Sequence, residues 1–115
     1  FYALATYACS KNTEKKAYAR VREIFPDADH VAVAFRLKNG CEDYEDDEEY
    51  GAGTRMLRLL RDREDVAVFM VRRCGRIKLG PQRFRLIHDV TEEALTLMDT
   101  ETPTKLKKPP PTPRK

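Results

Sequence analysis

Val66-Ala-Val-Phe-Met-Val71 runs directly into Arg72-Arg-Cys-Gly-Arg-Ile-Lys-Leu-Gly80-Pro81-Gln-Arg-Phe84. The first six residues contain no polar side chain. Their length and valine content predict a central strand covered on both faces or nearly so. Arg72–Phe84 is punctuated by Gly75, Gly80 and Pro81, and six basic residues lie within Arg72–Arg85. A short loop between a buried strand and a helix is held at the surface by a rigid scaffold, which is where binding or catalysis is often found. The helix itself is predicted over Gln82–Met98. Phe84, Ile87, Val90, Ala94, Leu95, Leu97 and Met98 give it a buried side, and Pro81 stands just before or at its first position.

Upstream, Phe1–Cys9 is rich in aromatic and small residues and reads as a first strand. Ser10, Asn12 and Thr13 offer N-caps for a helix over Thr13–Phe25. Ala17, Val21, Ile24 and Phe25 share one face of it, and Pro26-Asp27 ends it. His30–Lys38 is a second strand, with Val31, Val33, Phe35 and Leu37 on one face and Ala32, Ala34 and Arg36 on the other. Asn39-Gly40 is a turn. Glu42–Glu49 holds seven acidic residues in eight. Mutual repulsion there argues for a mobile or ligand-facing loop, with room for a short extra strand near Gly40–Tyr44. Gly51-Ala-Gly53 leads into a helix over Thr54–Arg63, striped by Met56, Leu57, Leu59 and Leu60. Alternating strands and helices predict an α/β sandwich. No internal repeat is present.

A chain of 115 residues supports one domain with a modest core. Residues 1–100 are expected to form it. Residues 101–115 hold five of the seven prolines and five basic residues against one acidic, which predicts a basic, extended tail. Residues 1–50 carry 7 basic and 11 acidic groups, and residues 51–100 carry 10 and 7. This segregation permits acidic partners or nucleic acid, while a pI near 8.8 does not demand them. Cys9, Cys41 and Cys74 form no CxxC pair, and neither histidine neighbours a cysteine. That pattern fits a reducing, cytoplasmic setting and offers no zinc spacing. No apolar run reaches the ~20 residues of a membrane span. The chain begins without Met and shows no signal peptide, and a piece of a longer protein or a processed form is expected.

Clustered carboxylates suit hard cations, yet Glu42–Glu49 lacks the EF-hand alternation and its central Gly, so a solvated or partner-facing segment is expected. Gly51-Ala-Gly53 matches neither a dinucleotide fingerprint nor a Walker A sequence; its glycines are expected to allow a tight helix entry. Cys74 lies between Arg73 and Arg76, which favours thiolate, but has no base beside it in sequence. Arg55, Arg58, Arg61, Arg72, Arg73, Arg76, Lys78, Arg83 and Arg85 are the strongest signal. Converging, they would make a phosphate-binding face. The alternative is that they pair with carboxylates, including those of the acidic run. Only Tyr50 and Phe84 lie near them in sequence for base stacking.

Three segments resemble the IMPACT family, whose bacterial relatives are the YigZ-type proteins. Ala28-Asp-His30-Val-Ala-Val-Ala-Phe-Arg36 is similar to the family's Ala-Thr-His strand with its Ala-Tyr-Arg end. Asp46-Asp-Glu-Glu-Tyr-Gly-Ala-Gly53 into Met56-Leu57 resembles its Asp-Asp-Gly-Glu segment, Ala-Gly and Leu-rich helix. Val68–Phe84 resembles its apolar strand, Arg-aromatic-aromatic-Gly-Gly, Leu-Gly-Pro and Arg-Phe. Glu48 stands where the family has Gly, Arg73 and Cys74 replace the aromatic pair, and Arg76 replaces the second Gly. The resemblance implies an α+β two-layer sandwich like the second domain of ribosomal protein S5: a mixed sheet of about four strands with helices on one face. It also implies a non-catalytic translational regulator that restrains the amino-acid-starvation response, competing for the ribosome-associated activator of the kinase that phosphorylates initiation factor two. In those proteins the competing contact belongs mainly to a separate N-terminal RWD domain, and links to actin and the ribosome are implied too. The expectation is a monomer without metal or cofactor. Its partner-binding residues would be Asp46, Asp47, Glu49, Arg55, Arg72, Arg73, Arg76, Lys78 and Arg83. The alternative is an RNA- or ribosome-binding module using Arg55, Arg58, Arg72, Arg73, Arg76 and Lys78.

Overall fold

The structure, a computed structural model, describes residues 1–73 and 80–101. The expected tail therefore lies outside the described residues. Seven elements follow in order: β1 (Tyr2–Tyr7), α1 (Lys11–Ile24), β2 (His30–Arg36), β3 (Glu42–Glu45), α2 (Ala52–Arg58), β4 (Val66–Arg72) and α3 (Gln82–Glu101). The strands form one sheet in the order β1-β4-β2-β3. Every neighbouring pair is antiparallel, with Tyr2 opposite Val71, Val31 opposite Val71, and Val33 opposite Glu45.

Local chemistry accounts for the element ends. Of the three candidate caps, Ser10 is used: its Oγ accepts from the Thr13 amide at 3.2 Å and frees α1 from an unsatisfied donor. Gly51, at φ 93°, is the N-cap of α2 and occupies a region that L side chains rarely enter. Gly80, at φ 68°, lies just ahead of Pro81 and α3.

β4 is apolar at both parities, and both are covered. Val66, Val68 and Met70 join Ala32, Ala34, Met56, Leu60 and Ile87 under α2 and α3. Ala67, Phe69 and Val71 join Val31, Val33, Phe35 and Val21 under α1. The α+β class and the four strands are as expected, but two finer features differ. The sheet is wholly antiparallel rather than mixed, because each parallel pair (β1 with β2, β3 with β4) has an antiparallel strand between its members. Helices lie on both faces rather than one, because a strand with two apolar faces must bury both. With α1 and α2 on opposite faces, the crossovers β1-α1-β2 and β3-α2-β4 have opposite hands, so one runs against the usual right-handed preference.

The acidic run corrects a third expectation. Glu42–Glu45 is the edge strand β3, which answers to the short extra strand expected near Gly40–Tyr44 rather than to a mobile loop, and all four of its side chains are exposed. Alternating carboxylates on an edge lie in water while the backbone pairs with β2, so repulsion is screened and does not prevent the strand. Charged edges also resist unwanted pairing with other chains.

Candidate functional site

The second half of the acidic run turns inward, and the basic residues meet it there. Glu49 is 3% exposed. Both its oxygens accept from Arg72 Nη1, at 2.8 and 2.9 Å, and Arg83 Nε lies 3.1 Å from Oε2. One carboxylate thus holds the end of β4 and the start of α3 together. Taking charges out of water is costly and is offset only by close geometry and several hydrogen bonds, which this cluster supplies. Arg72 also lies over the Phe1 ring at 5.2 Å. Arg83 donates to the Gly80 and Tyr50 carbonyls.

Gly51 and Gly53 let the chain approach this cluster. A Cβ on Gly51 would stand 2.9 Å from Arg55 Nη1 and 3.0 Å from Phe84 Cε1. A Cβ on Gly53 would collide with the Tyr44 ring and stand 2.8 Å from Asp46 Oδ1. Asp46 instead accepts from the Gly51 and Gly53 amides at 3.2 and 2.7 Å, so a carboxylate occupies the helix entry where an anion could otherwise bind. The Phe84 ring is stacked against both Arg55, at 3.6 Å, and Arg83, at 4.3 Å.

Asp47 faces the other way. Its Oδ2 accepts from the Val31 amide at 2.7 Å and pairs with Arg22 at 3.1 Å, extending the β2 edge beyond the last rung of β3. Asp47 and Glu48 hold positive φ values of 50° and 67°, which swing the chain from β3 into the inward turn. Arg73 is separate from the cluster: it pairs with Asp27 at 3.2 Å and lies over Tyr2 and Phe25.

Of the sequence-predicted residues, Asp46, Glu49, Arg55, Arg72 and Arg83 converge, while Asp47 and Arg73 are bound elsewhere. Arg58 is exposed and makes no ion pair among the described residues; with Arg61 it borders a shallow groove beside Arg36 and Glu42. Arg76, Lys78 and Cys74 lie outside the described residues. The alternative that arginines pair with the acidic run therefore holds for Arg72 and Arg83. Tyr44, Phe1 and Arg22 were not foreseen as parts of this region. Gly53 was the available signal for Tyr44, since a glycine beside a helix start often marks a close approach. Nothing local pointed to Phe1 or Arg22. His88 pairs with Asp89 on the surface of α3. Among the described residues no group of three or more His, Cys, Asp or Glu side chains could hold a metal ion. No described helix is long and apolar enough to cross a membrane.

The chain is 38% identical over 78 residues to "Protein IMPACT homolog" of Schizosaccharomyces pombe, covering 63% of this chain and 28% of that protein. It is 33% identical over 101 residues to "Protein IMPACT homolog" of Saccharomyces cerevisiae, covering 77% and 39%. "Protein IMPACT" of Xenopus laevis is 39% identical over 75 residues, covering 59% and 24%. The chain thus spans well under half the length of these relatives. A solved structure described as a hypothetical protein superposes with a TM-score of 0.75 at 24% identity, covering 82% of this chain and 50% of that one, which supports the fold. The family model of the Impact N-terminal domain matches residues 1–95, and on that match the chain belongs to the IMPACT family.

Proposed function

We propose that this domain is a non-catalytic protein-interaction module of an IMPACT-type translational regulator, working where the response to amino-acid starvation is restrained. Its partner is a protein of the translation-stress machinery, with the ribosome-associated kinase activator as the first candidate. The observation that carries this reading over nucleic-acid binding is the Glu49 cluster. Arg72 and Arg83 are committed to a buried carboxylate, and Arg55 is stacked on Phe84 with Nη1 donating to the Gly51 carbonyl. Cations held this way are withdrawn from phosphate contact. Arg73, paired with Asp27, is partly neutralised as well.

The test compares two affinities of the purified chain. Titration with the ribosome-associated activator should give saturable binding. Titration with RNA at physiological salt should give nothing tighter than about micromolar, as expected of nonspecific phosphate contacts. Tight, salt-sensitive RNA binding that is abolished by Arg73→Glu and Arg76→Glu would replace this reading with the RNA one.

A further inference from the structure

The two edges of the sheet are built differently. β3 carries three carboxylates, and its outward Tyr44 amide is satisfied by Asp43 Oδ1 at 2.8 Å. β1, at the other edge, reads Tyr-Ala-Leu-Ala-Thr-Tyr and has no charge. Its amides can be assigned by hydrogen-bond parity. The Ala8 amide donates to the Asp65 carbonyl, so residues of that parity face β4. The alternate amides of Ala3, Ala5 and Tyr7 then point away from the sheet. Among the described residues no strand pairs with this side of β1.

A groove of about 280 Å³ lies beside the first half of this open edge, at Phe1 to Leu4. Val90, Ala94 and Leu97 of α3 form one wall, and Phe25 lies across from them. Leu97 is 52% exposed and Tyr2 49%. Glu93 lines the groove and continues into a second hollow shared with Asp89 and Glu92. Glu92 and Glu93 make no ion pair among the described residues, whereas the nearby cation Arg73 is balanced by Asp27.

We infer that the open edge of β1 is a docking site for an extended, basic and apolar segment of a partner protein, which adds to the sheet as a fifth strand. Backbone hydrogen bonds to the Ala3, Ala5 and Tyr7 edge supply affinity, and alternate side chains supply selection. Apolar residues of the segment lie against Val90, Ala94 and Leu97; its Lys or Arg residues face Glu92 and Glu93. The same carboxylates disfavour a second copy of this chain, because a twofold β1–β1 pair would bring two acidic α3 surfaces side by side. This inference rests on the protein-interaction reading above and names its surface and partner chemistry.

The probe is a capped, dye-labelled heptapeptide with valine at positions 1 and 3, lysine at 5 and 7 and threonine between them, so that the valines and lysines share the side facing α3; it is titrated into the full chain and followed by anisotropy and amide exchange. Saturable binding is expected, with slowed exchange at Ala3, Ala5 and Tyr7. Glu92→Lys combined with Glu93→Lys, both on the exposed side of α3, should weaken it at least about tenfold. Ala5→Pro should abolish it, since proline removes an outward amide that β4 does not use. Absence of binding, or binding that leaves those three amides unprotected, overturns the inference. Protection that grows with protein concentration alone assigns the edge to a second copy and overturns it too. If the activator binds but the peptide does not, the interaction module stands and this surface falls. If the peptide binds but the activator does not, the surface stands and the proposed partner falls.

Discussion

The halves of Glu42–Glu49 have nearly the same composition and opposite fates. Glu42–Glu45 lies exposed on an edge strand, where its carboxylates face water and, among the described residues, only Glu42 forms an ion pair, with Arg36. Asp46–Glu49 turns inward: Asp46 closes the entry to α2, Asp47 caps the β2 edge, and Glu49 sits buried between Arg72 and Arg83. A run of like charge is thus no single feature. Where water screens each group, the run is a solvated edge. Where arginines and amides converge, it joins the α2 entry, the β2 edge, β4 and α3.

The comparison is most exposed at Glu49. Glu49→Ala leaves two arginines without their buried partner and should cost about 3–5 kcal/mol, read by urea unfolding. A loss below about 1 kcal/mol would mean that the inward half is no more structural than the outward half. The glycine beside it is next. Gly53→Ala drives a methyl into Tyr44 and Asp46 and should cost about 1–3 kcal/mol, the usual range for overpacking. An unchanged unfolding midpoint would show that the junction of the two halves can yield.

A third carboxylate, outside the run, sharpens the contrast. Glu14 is buried near the start of α1 without an ion pair among the described residues. Burial lifts its carboxyl above the ordinary value, with Lys15 pulling the other way. Its folded-state pKa therefore exceeds the unfolded one, so folding favours the protonated form. That contribution is complete below the ordinary carboxyl pKa and is lost as pH rises through the raised value. Glu14→Gln should accordingly be more stable than the parent at pH 7, with the difference vanishing in acid; thermal melts across that range would detect it. A parent more stable at pH 7 would mean that the charge is favourably held after all. The smallest effect belongs to the outward half. Glu42→Gln should change stability by no more than about 0.5 kcal/mol, as for exposed ion pairs. A loss comparable to that at Glu49 would erase the distinction between the halves.

Much of the architecture was legible because it follows short-range rules. Val66–Val71 announced a strand buried on both faces, and this reading of the residues proved better than the one-faced sheet the family resemblance implied. Ser10 was legible as a cap and Gly51 as a tight helix entry. The acidic run misled because repulsion was weighed without the neighbour that stabilises it: β2 supplies a hydrogen-bonding edge, and β3 accepts it while its side chains stay in water. The arginines were recognised as a group, but not sorted into those held by carboxylates and those left exposed.

The amino-acid order alone determined where most of the strands and helices form, that β4 is central, and that acidic and basic segments coexist in one domain. These depend on periodicity and on turn residues acting over a few positions. Tertiary structure decided that Glu49 meets Arg72, 23 residues away, that α1 covers the face opposite α2 and α3, and that β1 rather than β3 keeps a neutral open edge. Those outcomes depend on which surfaces are brought together and dried. Glu49 is held in the interior because Arg72 and Arg83 arrive from distant parts of the chain, and no local pattern specifies that arrival.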